Sequence, residues 1–154
     1  MNRSETPVAV ASVPPTIAAA QPALLETLAP YVLSILRIMI GLLFCEHGLS
    51  KLFGFPPHGQ MPPFLALEWF AGCIESIGGI LVALGLFTRA AAFIMSGEMA
   101  FAYFLAHAPR SFFPLLNGGE AAVLYCFVFL YLVFAGAGPW SLDALVWGSR
   151  RRNG

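Results

Sequence analysis

Arg37, Glu46, Lys51, Glu75 and Glu98 sit inside stretches that are otherwise apolar enough to cross a membrane. An ionisable group at the bilayer centre costs roughly 2.5–3.5 kcal/mol on insertion scales. A chain carrying several such groups must therefore fold so that they pair or stay hydrated inside a helix bundle. A typical soluble domain is about 25% charged; this chain is 10% charged and 58% hydrophobic. At 154 residues it reads as a single integral membrane domain. The formal net charge is zero, which argues against a nucleic-acid partner.

Four apolar stretches, residues 31–53, 64–87, 89–107 and 120–137, each approach the ~20 residues that a ~30 Å hydrocarbon slab requires. Gly54, Pro56, Pro57, Pro62 and Pro63 separate the first two. Gly85 suits a helix C-cap and Thr88 the N-cap that follows it. Ala108-Pro109 closes the third stretch, and Asn117-Gly118-Gly119 opens the fourth. The spacing predicts an all-α protein, a four-transmembrane-helix bundle over residues 31–147. Residues 1–30, rich in Ala and Pro, read as a disordered tail; residues 148–154 form a basic tail. Pro14 and Pro15 break the apolar core that a signal peptide would need after Arg3. With alternating spans, Arg3, Arg89, Arg150, Arg151 and Arg152 fall on one side, and Lys51 and Arg110 on the other. That bias places both termini in the cytoplasm and the protein in the inner (cytoplasmic) membrane. Trp140 and Trp147 flank Ser141-Leu142-Asp143, the pattern of a short interfacial helix capped by Ser141.

Helical spacing then sorts the side chains. Arg37, Gly41, Phe44, Gly48 and Lys51 share one stripe, and its glycines imply close approach to another helix. Glu46 points to roughly the opposite side, within reach of headgroup water. In the second stretch Glu68 and Glu75 share a face, beside a ridge of Gly72, Ser76, Gly79 and Ala83. Most polar groups collect in the outer half, and Arg37 is expected to reach up to Glu75 and Glu98 from the inner half.

Each polar residue carries a functional and a structural reading. Glu75 and Glu98 suit proton exchange with a redox carrier or a translocated solute, or a register-fixing bond to Arg37. Arg37 suits an anionic group, or serves as a structural counter-ion. His47 and His107 suit proton transfer or a hydrogen bond to a quinone carbonyl; His107 equally suits a helix C-terminus. Lys51 and Arg110 are otherwise boundary anchors, and His58 lies solvated between proline pairs. Asn117 and Glu120 match a capping-box variant, with Glu120 at the third helical position. Cys45, Cys73 and Cys126 show neither Cys-x-x-Cys nor metal spacing. They read as packed side chains, with a Cys45–Cys73 pair as the redox alternative. Aromatic residues including Tyr103, Tyr125 and Phe129 line a ring-shaped ligand or face lipid.

The ordered set Arg37, Gly41, Phe44, His47-Gly48-Leu49-Ser50-Lys51-Leu52-Phe53-Gly54, Glu75, Gly78-Gly79 and Gly85-Leu86-Phe87-Thr88-Arg89 resembles the DoxX family of small membrane proteins. His107, Asn117-Gly118-Gly119-Glu120, Gly136, Gly138 and Ser141-Leu142-Asp143 continue the match. The resemblance implies four membrane helices. It also implies quinone- or thiol-linked redox work, since relatives include a subunit of a thiosulfate:quinone oxidoreductase. Glu46 and Glu98 rest on the bilayer argument alone. On this reading Glu75, Glu98 and His107 are catalytic groups that handle protons. Arg37, His47, Lys51 and Glu120 bind the ligand, a quinone or similar ring, and there is no metal site. With no haem or flavin motif, a redox partner protein supplies the electrons; the lipid bilayer and further copies of the chain complete the partners. The rival reading is a non-enzymatic scaffold, assembly factor or small-solute carrier, although no inverted repeat supports a transporter.

Overall fold

The computed structural model describes residues 15–57 and 59–148; the readings on Arg3, His58 and the C-terminal arginines fall outside the described residues. These residues form helices joined by turns and, between the first two, by the longer connection 54–66. Helix α1 (Pro15–Phe53) begins well before the expected residue 31, so residues 15–30, read as tail, are helical. Pro15 stands in the first turn, where its missing N–H breaks no helical bond; the Ala and Leu residues beyond it favour helix, while Pro22 and Pro30 each leave one helical bond unmade. Helix α2 (Leu67–Leu84) returns along α1. Helix α3 (Thr88–Ala102) continues through a π-helical turn, Tyr103–His107. A short α4 (Pro114–Asn117) leads to α5 (Glu120–Ala135), and α6 (Leu142–Gly148) ends the described chain.

Among the described residues, three helices are long and apolar enough to cross a membrane: Ala23–Phe53, Leu67–Leu84 and Thr88–His107. Helix α5 is an apolar helix of 16 residues, about 24 Å at 1.5 Å per residue. It stops at Gly136, whose φ is +84°, rather than at the expected residue 137. Large apolar side chains such as Ile77, Phe93, Phe127 and Phe134 point outward, as a bundle in lipid requires.

Two helix pairs build the bundle, α1 on α2 and α3 on α5, with α2 beside α3. The α1–α2 seam is the small-residue seam expected from the spacing. A Cβ added at Gly41 would lie 2.6 Å from the Ala83 nitrogen, and one at Gly79 would lie 2.6 Å from the Cys45 nitrogen. The two backbones touch, so dispersion replaces the hydrophobic drive that lipid removes. Phe44 fills the gap between α1 and α5, its ring centre 5.1 Å from Tyr125 and 4.8 Å from Phe129.

The α2–α3 turn closes in two steps. Gly85 takes the left-handed conformation (φ +68°). Gly85 N–H donates to the Val82 carbonyl at 3.0 Å, and Leu86 N–H to the Leu81 carbonyl at 2.9 Å, a Schellman ending. Thr88 is not the N-cap: Phe87 holds that position at φ +49° and offers no side-chain bond. The Asp143 carboxylate supplies it instead, accepting Phe87 N–H at 2.8 Å and Thr88 N–H at 2.9 Å. Ser141 caps α6 as expected, its Oγ accepting Ala144 N–H at 3.1 Å.

Candidate functional site

The register of the helices brings one titratable side chain from each of four helices to one level. Gly48 of α1 faces Gly72 and Ser76 of α2, and Gly78 of α2 faces Met95 of α3. On α5, the Cys126 carbonyl accepts a 2.9 Å hydrogen bond from Ser96 Oγ. Lys51, Glu75, Glu98 and Tyr125 therefore converge. Lys51 Nζ donates to Glu75 Oε1 at 2.5 Å. Glu75 is 1% exposed, and its second oxygen has no partner. Both oxygens of Glu98 are also buried without a partner. The charges acting on Glu98 are those of Glu75 and Lys51.

His47 and Tyr125 form the rim of this cluster. Their rings meet edge to face at 5.6 Å, and His47 is within electrostatic reach of Glu75. His47 Nδ1–H donates to the Leu43 carbonyl at 2.9 Å. Tyr125 also lies parallel to Phe129 at 6.0 Å. Two acids beside one ammonium leave three buried carboxylate oxygens unsatisfied, so a hydrogen-bond donor placed among them would relieve a cost of burial.

Arg37 is elsewhere. It lies 14 residues before Lys51, about 21 Å along the helix axis, and does not meet Glu75 or Glu98. It is fully buried. Its guanidinium donates to the Val82 and Ala83 carbonyls at 2.6 Å each, to the Ala137 carbonyl at 2.8 Å and to the Trp140 carbonyl. The carbonyls of the last turn of α2 lack the usual i+4 amide, although Val82 also accepts Gly85 N–H, and a cation there meets the negative end of the helix dipole. Burial of Arg37 is thus satisfied by backbone, and the acid that pairs with a cation in the outer half pairs with Lys51.

His107 and Glu120 also lie apart from the cluster. His107 follows Glu98 by nine residues and ends the π-helical turn that extends α3. Its Nδ1–H donates to the Asn117 carbonyl at 3.2 Å, and its ring stacks on Tyr103. Tyr103 donates to the Phe112 carbonyl, and Asn117 Nδ2 to the Ser111 carbonyl at 2.6 Å. Asn117 and Glu120 form no capping box. Asn117 ends α4, and its Oδ1 accepts Gly119 N–H at 2.7 Å. Glu120 instead opens α5, exposed in its first turn. Glu46 is exposed on α1, as its phase predicted.

The three cysteines are free. Cys45 faces Gly79, whereas Leu52 and Lys51 face Gly72, so Cys45 and Cys73 are offset by six residues, about 9 Å of helix rise. A disulfide needs Cα atoms about 4.4–6.8 Å apart, which this register does not provide. Among the described residues, no three His, Cys, Asp or Glu side chains gather as metal ligands. Tyr125 was legible only as one of many aromatics. The missing signal was the register of α5 against α1, which no spacing within α5 encodes.

The sequence model of the DoxX family matches residues 32–108. An uncharacterized protein of Haemophilus influenzae is 48% identical over 127 residues, covering 77% of this chain and 93% of that protein. An uncharacterized membrane protein of Mycobacterium tuberculosis is 28% identical over 142 residues, covering 79% and 85%. A Bacillus subtilis protein named "Putative oxidoreductase CatD" is 28% identical over 123 residues, covering 76% and 88%. No solved structure matches.

Proposed function

The chain belongs to the DoxX family, and from that premise we propose that it is a membrane subunit of a quinone-linked oxidoreductase system. The observation that carries this reading is the set of three buried, unpartnered carboxylate oxygens on Glu75 and Glu98 beside Lys51. The oxidoreductase name of the Bacillus subtilis relative supports it. The free, offset cysteines favour a quinone over a thiol partner.

In this reading the chain crosses the inner membrane four times, with residues 31–147 as the working domain and both termini in the cytoplasm. Helix α5 is the fourth span; the bilayer thins locally to meet a short helix. A quinone ring enters at the His47–Tyr125 rim, with His47 and Lys51 orienting its oxygens. Reduction to the quinol takes two electrons, which a partner protein supplies, and two protons. Glu98 and Glu75 deliver the protons, and each carboxylate regains one from the outer aqueous side. Arg37, His107 and Glu120 support the bundle and its outer loop.

The test begins with purification in mild detergent and analysis of co-extracted quinones by absorbance and mass spectrometry. Bound quinone is expected, and Glu98→Gln should slow quinone-dependent turnover of the membranes on the order of 100-fold while the helices stay folded. Absence of any bound quinone, with turnover unchanged in Glu98→Gln and Glu75→Gln, overturns the reading. A second reading, a non-enzymatic scaffold whose polar groups lock helices, is favoured by Arg37, whose four hydrogen bonds all go to carbonyls. It predicts lower thermal stability in both Gln variants with no redox defect.

A further inference from the structure

A groove of about 580 Å³ opens at the other end of the bundle, between the start of α3 and the end of α5. Phe87, Thr88, Arg89, Asp143 and Trp147 line it. It sits where two apolar helices end, and so at the level where a bilayer changes from hydrocarbon to headgroups. Phe87 and Trp147 meet edge to face at 5.5 Å. Both are exposed, as aromatic side chains at a membrane boundary are.

The groove carries one cation and one anion that do not pair with each other. Arg89 Nη1 donates to the Val133 carbonyl at 2.9 Å. Its exposed guanidinium has five N–H donors in all, so most remain available to a ligand. The Asp143 oxygens each accept one backbone N–H and retain lone pairs. The only salt bridge among the described residues is Lys51 with Glu75, so Arg89 and Asp143 are more than ion-pair distance apart. Thr88 in the groove wall holds a buried hydroxyl with no partner. The first amides of α3 and the charge of Arg37 already meet the Asp143 carboxylate, so a purely anionic headgroup would find no further donor on that wall. A headgroup with a phosphate and an ammonium satisfies both walls.

We propose that this groove binds the headgroup of a zwitterionic phospholipid, its phosphate on the Arg89 guanidinium and its ammonium beside the Asp143 carboxylate. Guanidinium and phosphate match as planar fork and paired oxygens. The acyl chains then run along the outer surfaces of α3 and α5. The site is independent of the quinone reading, because it uses none of the Lys51–Glu75–Glu98 cluster.

Native mass spectrometry of the full-length protein tests this, after exchange into detergent containing equal amounts of phosphatidylethanolamine and phosphatidylglycerol. The wild type should retain phosphatidylethanolamine in preference. Arg89→Gln should bind it on the order of tenfold more weakly, and Arg110→Gln, at the opposite end, should bind as wild type. Equal retention by Arg89→Gln and wild type, or equal retention of the two lipids, overturns the proposal. So does soluble phosphoethanolamine competing at the same concentration as the intact lipid, which would identify a site for a free phosphate ester. Far-ultraviolet circular dichroism of Arg89→Gln separates a lost site from a lost fold.

Discussion

Arg37 and Lys51 lie on one face of one helix, yet they are stabilised in opposite ways. Arg37 has five donors in a rigid fork, and carbonyls from the end of α2 and from the loop between α5 and α6 converge on it. Lys51 is a point charge on a flexible stem and takes a single carboxylate at 2.5 Å. Removing one member of a buried ion pair strands the other, whereas removing both leaves nothing to desolvate. Glu75→Leu alone is therefore expected to lower unfolding free energy by about 3 kcal/mol, at the low end because the Lys51 side chain is 34% exposed. The double variant Lys51→Met with Glu75→Leu should recover most of that loss in thermal melts in detergent. A double variant no more stable than the single would show that the pair is not the source. The sequence identified which groups are costly to bury, because cost depends only on residue type and depth. It did not identify their partners: backbone carbonyls are present at every position, and nothing in the spelling of Val82 or Ala83 marks them as acceptors.

At the scale of elements, glycine spacing was the most informative local signal. Gly41 and Gly48 on α1, with Gly72 and Gly79 on α2, let the two backbones meet. Gly79→Ala would press a methyl to within 2.6 Å of the Cys45 nitrogen and 2.7 Å of the Gly41 carbonyl. Because backbone rather than a flexible side chain must yield, the variant is expected to lose about 1–3 kcal/mol and to splay α1 from α2. Gly97→Ala, where nothing lies within 4 Å, is the matched control and should melt at the wild-type temperature or slightly above it. Equal melting of the two variants would refute close backbone contact. The α2–α3 turn shows the limit of local reading. Gly85 ends α2 as its type predicts, because its left-handed φ needs no Cβ. Thr88 is not a cap because it is already the first helical residue, and its amide and that of Phe87 are held by Asp143, 55 residues later.

The whole molecule is decided by register between helices. That register keeps Cys45 and Cys73 apart, so both thiols are expected to react fully with maleimide in denaturant after oxidant treatment, with and without prior reduction. A reductant-dependent gain in labelling would mean that the bundle rearranges to join them. The same register gathers Lys51, Glu75, Glu98 and Tyr125 and sets Arg37, His107 and Glu120 apart. By itself the sequence determined the all-helical class, the apolar segments, the breaks between them and the residues too polar to face lipid. Those follow from hydropathy and period, which are properties of single stretches of chain. Only the tertiary structure decided which polar groups share a site, because that depends on how far one helix slides against the next. A slide of one turn, about 5.4 Å, leaves every helix intact and changes every partner.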